Sequence, residues 1–240
     1  IEIYDTYSEA WSIIHQNLEE VLEITGVVDP LEDKTLNSQA KAAARSRFES
    51  CKQRFFSQVL LSFKLPSVIP AIDSHIAEGD SVVVQLVSTA ESILDRRLNQ
   101  LSPQEREELD IDLSPRESVI DYLTRAFPTR QMQEYTDELG ETHSRPMFDE
   151  DGHPIHNPEA IAKREAMVEH ICALPSIPTA LDAIIANYGP SKVAEVTGRS
   201  KRLVLDPNNQ QRLETRSART NLAETSAFMT GAKRILVFSD

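Results

Sequence analysis

The chain has 240 residues, of which 40% are hydrophobic and 26% are charged, and these values are ordinary for a globular protein. Its formal net charge of −13 argues against a generally basic protein that coats nucleic acid, although it is compatible with a local basic surface. Two cysteines are too few for a disulfide scaffold and no apolar run approaches the roughly 20 residues that cross a bilayer, so we expect an intracellular, cytoplasmic protein without membrane contact.

The first 65 residues are predicted to be helical. Apolar side chains recur at helical spacing along residues 8–24, and a longer pattern of the same kind runs from about residue 36 to residue 63. Asp29-Pro30 separates the two helices, and Pro66 ends the second one. We therefore predict a helical connector over residues 1–65.

Three apolar segments predict strands of one sheet. Residues 82–87 and 235–238 are continuous apolar runs rich in β-branched side chains, a pattern typical of parallel strands that are buried on both faces. Residues 193–196 predict a further strand, and helical patterns lie between these segments. The predicted fold is α/β, a mainly parallel sheet flanked by helices. We expect the strands at 82–87 and 235–238 to lie side by side and to run in the same direction.

Residues 102–175 differ in composition from the rest of the chain. They hold most of the excess acid and predict two helices and a hairpin turn near residues 148–154. We interpret this block as a largely helical acidic insertion that repels nucleic acid. It divides the sheet domain into residues 66–101 and 176–240. Because the last predicted strand is also the end of the sequence, we expect a segment of a longer protein.

The sequence contains none of the common catalytic or phosphate-binding motifs. A GxxxxGK[ST] loop, a GxGxxG turn after a strand and a GxSxG elbow are all missing. His153 and His156 flank Pro154, and surface histidines beside a turn are a more common arrangement than a zinc site. Asp149 and Asp151 do not continue into a calcium loop, whose twelfth position is Ala160. We predict no catalytic residue and no metal site.

Polar residues follow each predicted strand. The carboxyl ends of parallel strands meet at one edge of a sheet, beside helix N-termini whose free N–H groups favour anions. Two interpretations remain open at this point, namely contact with backbone phosphates and ordinary turns at strand ends. The candidate residues are Ser88, Thr89, Thr197, Gly198, Arg199, Lys201, Arg202, Ser239 and Asp240.

The segments around these strands resemble the Strawberry notch family of superfamily 2 helicases. The family has a G-P-x-x-V-A-E-x-T-G-R stretch, which here occupies residues 189–199, and a Phe-Met-x-Gly segment, which here is Phe228, Met229 and Gly231. Residues 51–69 are similar to the family's helix that leads into its second RecA-like domain. The resemblance covers most of residues 45–101 and 176–240, and the first motif is the specific one.

The resemblance implies an ATP-dependent DNA helicase or translocase of a bacterium or phage. It implies that Ser88, Thr89, Thr197 and Gly198 bind nucleic acid, with Arg199, Lys201 and Arg202 adding charge, and that Ser239 and Asp240 contact the nucleotide. ATP and Mg²⁺ would bind between this domain and the first RecA-like domain of the parent chain, which supplies the Walker A lysine and the Walker B acids. We expect no bound cofactor and no ATP hydrolysis for this segment alone.

A second function is compatible with the acidic composition. An acidic α/β module could bind a partner protein through residues 102–175 and make no contact with nucleic acid. The net charge of −13 supports this alternative, whereas the resemblance supports the helicase.

Overall fold

The structure, a computed structural model, describes residues 2–32, 34–87, 94–95, 98–99, 101–102, 113–205 and 210–239. In chain order, the helices and strands are α1 (Glu2–Ile24), β1 (Val28–Asp29), β2 (Lys34–Thr35), α2 (Ser38–Ser62), α3 (Leu65–Glu78), β3 (Val82–Leu86), α4 (Arg116–Arg125), β4 (Met132–Thr136), β5 (Thr142–Pro146), α5 (Pro158–Ala173), α6 (Ala180–Tyr188), β6 (Val193–Val196), β7 (Lys201–Leu205), β8 (Gln211–Thr215), α7 (Ala218–Met229) and β9 (Ile235–Ser239).

The chain forms two compact units. Unit 1 consists of residues 1–55 and 118–175, and unit 2 consists of residues 56–117 and 176–240. The N-terminal helices therefore share a unit with much of the predicted acidic insertion. The change of unit between residues 175 and 176 coincides with the predicted end of that insertion.

Unit 1 has an aromatic core. Tyr7 and Trp11 lie on the buried stripe of α1, one helical turn apart, and contact Phe48 and Phe55 of α2. The Trp11 and Phe48 rings meet edge to face with centroids 5.4 Å apart, and the Tyr7 and Phe55 centroids are 4.9 Å apart. All four side chains are at most 2% exposed, so this cluster accounts for much of the apolar burial that stabilises unit 1.

Helix α5 of unit 1 begins at a capped N-terminus. The Asn157 side chain accepts a hydrogen bond from the Ala160 N–H at 3.0 Å and donates to Gln131 Oε1 at 2.8 Å. Pro158 then occupies the first helical position, where its fixed φ suits the helix and its missing N–H costs nothing. The predicted hairpin turn is confirmed, since Phe148 and Pro154 form an antiparallel bridge.

Unit 2 contains a three-stranded parallel sheet in the order β3-β9-β6. Val84 pairs with Val237 in register, so the predicted parallel pairing of the two apolar runs is confirmed. Helices α3 and α6 contribute Ile72, Leu181 and Ile184 to a core that includes Val193 and Val237 of the sheet. The coarse α/β prediction therefore agrees with unit 2, in which helices accompany a small parallel sheet.

Two sequence predictions for unit 2 were wrong. Strand β3 was expected to be buried on both faces, but Val83 is 55% exposed, because β3 lies at the edge of the described sheet and only its alternate residues turn inward. The segment after Gly198 was expected to be a basic loop. It instead forms the antiparallel β7–β8 hairpin, with Leu203 opposite Leu213.

The helical stretch Ser38–Glu78 contains an 18-residue window that is long and apolar enough to cross a membrane. This window differs from the expectation that no apolar run approaches the length of a membrane span. One such helix is weak evidence of a membrane span, since a core helix of a soluble protein meets the same criterion.

Candidate functional site

The carboxyl ends of the three parallel strands meet at one edge of the sheet. Leu86 pairs with Ser239, and Val196 pairs with Phe238, so Ser239 ends β9 beside Thr197, which follows the neighbouring strand β6. Three of the predicted site residues, Ser88, Thr89 and Asp240, lie outside the described residues. Among the described residues, the carboxyl ends of β3, β6 and β9 lie next to one another.

The N-terminus of α7 lies beside the end of β6. Asn221, in the first turn of α7, donates from Nδ2 to the carbonyl oxygen of Thr197 at 2.8 Å, and its Oδ1 accepts from Arg216 at 3.0 Å. Arg219 lies in the same turn and is exposed. The positive end of the α7 dipole is therefore near the Thr197–Gly198 turn.

A buried carboxylate lies directly beneath this turn. Glu195 of β6 is fully buried, and both of its oxygens accept hydrogen bonds from Arg199, at 2.5 Å from Nε and 3.0 Å from Nη2. The third guanidinium nitrogen of Arg199 donates to Asp182 of α6 at 2.8 Å. The fork geometry of this pair holds the turn against β6, because Arg199 bridges the strand to α6.

Two more arginines surround the same carboxylate. Arg202 Nη1 donates to Glu195 Oε2 at 3.1 Å, and its Nε donates to Glu214 of β8 at 3.0 Å. Arg216 Nε lies 3.4 Å from Glu195 Oε1, and Arg216 Nη2 donates to the Glu195 carbonyl oxygen. We call Asp182, Glu195, Arg199, Arg202, Glu214 and Arg216 the Glu195 network.

The Glu195 network perturbs the pKa values of its members. Burial disfavours a charged carboxylate, yet the hydrogen bond and charge of Arg199 and the charge of Arg216 hold the pKa of Glu195 below its usual value. Burial also disfavours charge on Arg199, but its bond to Glu195 and the charge of Asp182 raise its pKa. Burial lowers the pKa of Arg216, whose Nη1 has no hydrogen-bond partner among the described residues.

The predicted site residues divide into buried and exposed groups. Arg199 is 3% exposed, Thr197 is 4% exposed and Arg202 is 5% exposed, and all three donate to Glu195. Their side chains position the turn in this structure, and the nucleic-acid contact predicted for them stays a prediction. Gly198 is exposed, and Lys201 is partly exposed beside Asp95.

Glu195, Arg216 and Asn221 belong to this site but were not predicted from the sequence. An acid inside an apolar strand, followed by arginines at 199, 202 and 216, is the signal that indicates a buried ion network. Asn221 gives no such signal, because only the packing of α7 on β6 brings it to Thr197.

The histidines do not converge on one metal site among the described residues. His153 Nδ1 lies 3.6 Å from Asp149 on an exposed turn, whereas His156 Nδ1 bonds to Thr129 Oγ1 at 2.8 Å. His153, Asp149 and Asp151 could together reach one ion, but exposed acidic groups are common in proteins without one.

Comparison with known proteins gives one match. Residues 179–240 match the family model described as the C-terminal domain on Strawberry notch homologue. No curated protein and no solved structure matches the chain. The matched residues include strands β6 to β9, helix α7 and every member of the Glu195 network. The resemblance found in the sequence is therefore confirmed for residues 179–240, which have the features of the Strawberry notch C-terminal helicase domain and indicate a helicase-related function.

Proposed function

We propose that unit 2 is the second RecA-like domain of an ATP-dependent, Strawberry notch-like DNA helicase or translocase. In this proposal it binds the nucleic-acid backbone and forms one wall of an ATP cleft. The observation that supports it is the parallel β3-β9-β6 sheet, whose carboxyl ends meet at one edge, two of the three strands lying within the matched residues 179–240. Open parallel sheets bind their ligands at that edge.

The Thr197–Gly198 turn is the proposed contact with the backbone. Gly198 is exposed, and a side chain added there would meet nothing within 4 Å, so a phosphate has free access to this peptide. The Glu195 network holds the turn from below, through Thr197 and Arg199. A turn that is already ordered loses little conformational entropy when it binds.

Two cations supply the sequence-independent charge in this proposal. Lys201 follows the turn, and Arg219 lies in the first turn of α7, whose Asn221 bonds to Thr197. Arg199 and Arg202 are occupied by Glu195, Asp182 and Glu214. We therefore assign them a positioning role and assign the phosphate contacts to Arg219 and Lys201. Lys201 also pairs with a carboxylate, with Nζ 3.3 Å from Asp95 Oδ1, but the two side chains of this pair are 39% and 41% exposed, so a phosphate can compete for the lysine.

The nucleotide would bind at the neighbouring strand end. Ser239 ends β9, the central strand of the three, and Asp240 follows it in sequence. We propose that ATP with Mg²⁺ lies between these residues and a first RecA-like domain that contributes the Walker A lysine. Closure of the two domains on ATP, followed by reopening after hydrolysis, would move the protein along a strand.

Binding of single-stranded DNA to the 240-residue chain tests the backbone contact. Lys201→Gln and Arg219→Gln should each weaken binding, and each should reduce the slope of log K against log salt by about 0.7, because one phosphate contact is lost. Lys192→Gln is the matched control. Lys192 is also exposed, but it precedes β6 and so lies at the opposite edge of the sheet.

Two results would contradict this proposal. If Lys192→Gln weakens binding as much as the other two variants, the contact is not at the carboxyl edge. If the unmodified chain binds no DNA at low salt, the acidic protein-interaction module becomes the better hypothesis. Thermal melting of each variant should match the unmodified chain, because all three side chains are on the surface.

A further inference from the structure

Unit 1 contains a polar cavity of about 550 Å³. Its walls come from the N-terminus of α2, the end of α4, the segment that precedes β4 and the first half of α5. All of these elements belong to residues 1–55 and 118–175, outside the residues that match the helicase family. The cavity volume is in the range of small-molecule binding sites.

The charged residues that line this cavity have a single sign. Among the residues that the structure describes, four arginines line it and no aspartate or glutamate does, although acids outnumber bases in the chain, 38 to 25. The arginines are contributed by four different segments of the chain, so their convergence results from the tertiary fold and not from one helix face. They are Arg47, Arg125, Arg130 and Arg164.

Two of these arginines have no carboxylate partner in the described part of the chain, namely Arg47 and Arg130. Arg125 pairs with Asp121, with Nε and Oδ1 3.0 Å apart, and it also lies in the last turn of α4, where a cation offsets the negative end of the helix dipole. Arg164 approaches its neighbour Glu165 at 3.5 Å. The cavity therefore keeps at least two positive charges that no described acid neutralises.

The remaining lining favours an organic anion. The N-terminus of α2, a helix of 25 residues, lies at the cavity through Gln39 and Ala40, and this end of a helix attracts negative charge. Leu22, Phe127 and Met132 supply an apolar surface. One ligand with a charged part and a ring-like part can use both surfaces.

We propose that this cavity binds a small organic molecule that carries phosphate groups and is about the size of a nucleotide. Guanidinium groups recognise phosphate through paired N–H donors, and the apolar side chains would contact a base or another ring. A long nucleic-acid strand fits the cavity less well. Asp121 and Glu165, which pair with two of the lining arginines, would repel an extended polyanion, whereas a compact ligand reaches the unpaired arginines.

Isothermal titration of the 240-residue chain with ATP, AMP and inorganic phosphate, without Mg²⁺, tests this proposal. ATP and AMP should bind at least tenfold more tightly than inorganic phosphate, because only they reach the apolar wall. The double variant Arg47→Gln/Arg130→Gln should weaken ATP binding at least tenfold. Both side chains are exposed, so the variant should fold. Arg54→Gln, also exposed and two turns further along α2, is the matched control and should bind ATP normally.

Each other outcome overturns the proposal. Binding that survives the double variant lies elsewhere in the protein, including at the nucleotide contact proposed for unit 2. If inorganic phosphate binds as tightly as ATP, the apolar wall contributes nothing to affinity. If no probe binds, the cavity is not a phosphate site, and if only an oligonucleotide binds, it is a polymer surface.

Discussion

Replacement of Glu195 by glutamine should destabilise unit 2 strongly. Glutamine keeps the shape of the side chain but removes the charge that Arg199, Arg202 and Arg216 share. The amide NH2 of glutamine also faces the N–H donors of the arginines, with which it cannot form a hydrogen bond. Removal of one partner from a buried ion pair costs about 3 to 5 kcal/mol, because the remaining charges stay buried without compensation. That loss is a large part of a typical total stability of about 5 to 15 kcal/mol.

Urea denaturation followed by two signals measures this effect. The single tryptophan, Trp11, is buried in unit 1, so its fluorescence reports on unit 1, whereas circular dichroism reports on both units. The unit 2 transition should shift to lower urea in Glu195→Gln, and the fluorescence transition should shift less. Glu214→Gln is the control within the same network. Glu214 is partly exposed and pairs with Arg202 and Arg212, so its loss should cost about 1 kcal/mol or less.

The pH dependence gives an independent test of the same reasoning. Because the arginines lower the pKa of Glu195, this group stabilises the fold above its unfolded-state value, near 4.5, and the stabilisation is lost as the pH falls through the folded-state pKa. Stability of Glu195→Gln should therefore fall less steeply below about pH 5. A loss under about 1 kcal/mol at neutral pH would refute a buried, coupled network, as would an unchanged acid profile.

Three further predictions concern the stability of each unit. Phe55→Ala should cost about 3 to 5 kcal/mol in urea denaturation followed by Trp11 emission, because it opens a cavity against Tyr7 and Trp11; a cost under about 1 kcal/mol would show that this aromatic core is loosely packed. Asn157→Ala should cost about 1 to 2 kcal/mol by the same measurement, since α5 loses its cap and Gln131 Oε1 loses its donor; an unchanged urea midpoint would contradict this role of Asn157. Burial and the hydrogen bond to Asp73 raise the pKa of Tyr188 to about 12, so the phenol should stabilise unit 2 until the pH rises through about 10 to 12; Tyr188→Phe should remove one high-pH step from the ultraviolet tyrosinate titration, and an unchanged titration would contradict this assignment.

The sheet of unit 2 was predictable because each of its strands corresponds to a short, mainly apolar segment of the sequence. Apolar runs at 82–87, 193–196 and 235–238 correspond to β3, β6 and β9, and the long helical periodicities correspond to α1 and α2. The β7–β8 hairpin was missed because Lys201–Leu205 consists of two basic residues followed by three apolar ones. This segment lacks the period-2 alternation that marks a half-buried strand, and the density of basic residues suggested a solvated loop.

The candidate site was predictable in position but not in chemistry. Position follows from the rule that parallel strands present their carboxyl ends at one edge. The role of Arg199 was not predictable in this way, because a sequence does not show whether a guanidinium turns toward solvent or toward a carboxylate four residues earlier. Only the register of β6 places the Glu195 side chain inward. Similarly, the cavity of unit 1 depends on arginines that are far apart in the chain.

The order in which the chain visits its two units affects how it can fold during synthesis. Helix α1 packs against α5, and Lys163 of α5 bonds to Glu20 of α1 at 2.6 Å. When the ribosome has reached residue 117, only part of unit 1 has been made. The part of the apolar stripe of α1 that packs on α5 stays uncovered for some 40 further residues, until α5 is made. During that interval the nascent chain exposes hydrophobic surface, and we expect chaperones that bind such surfaces to associate with it.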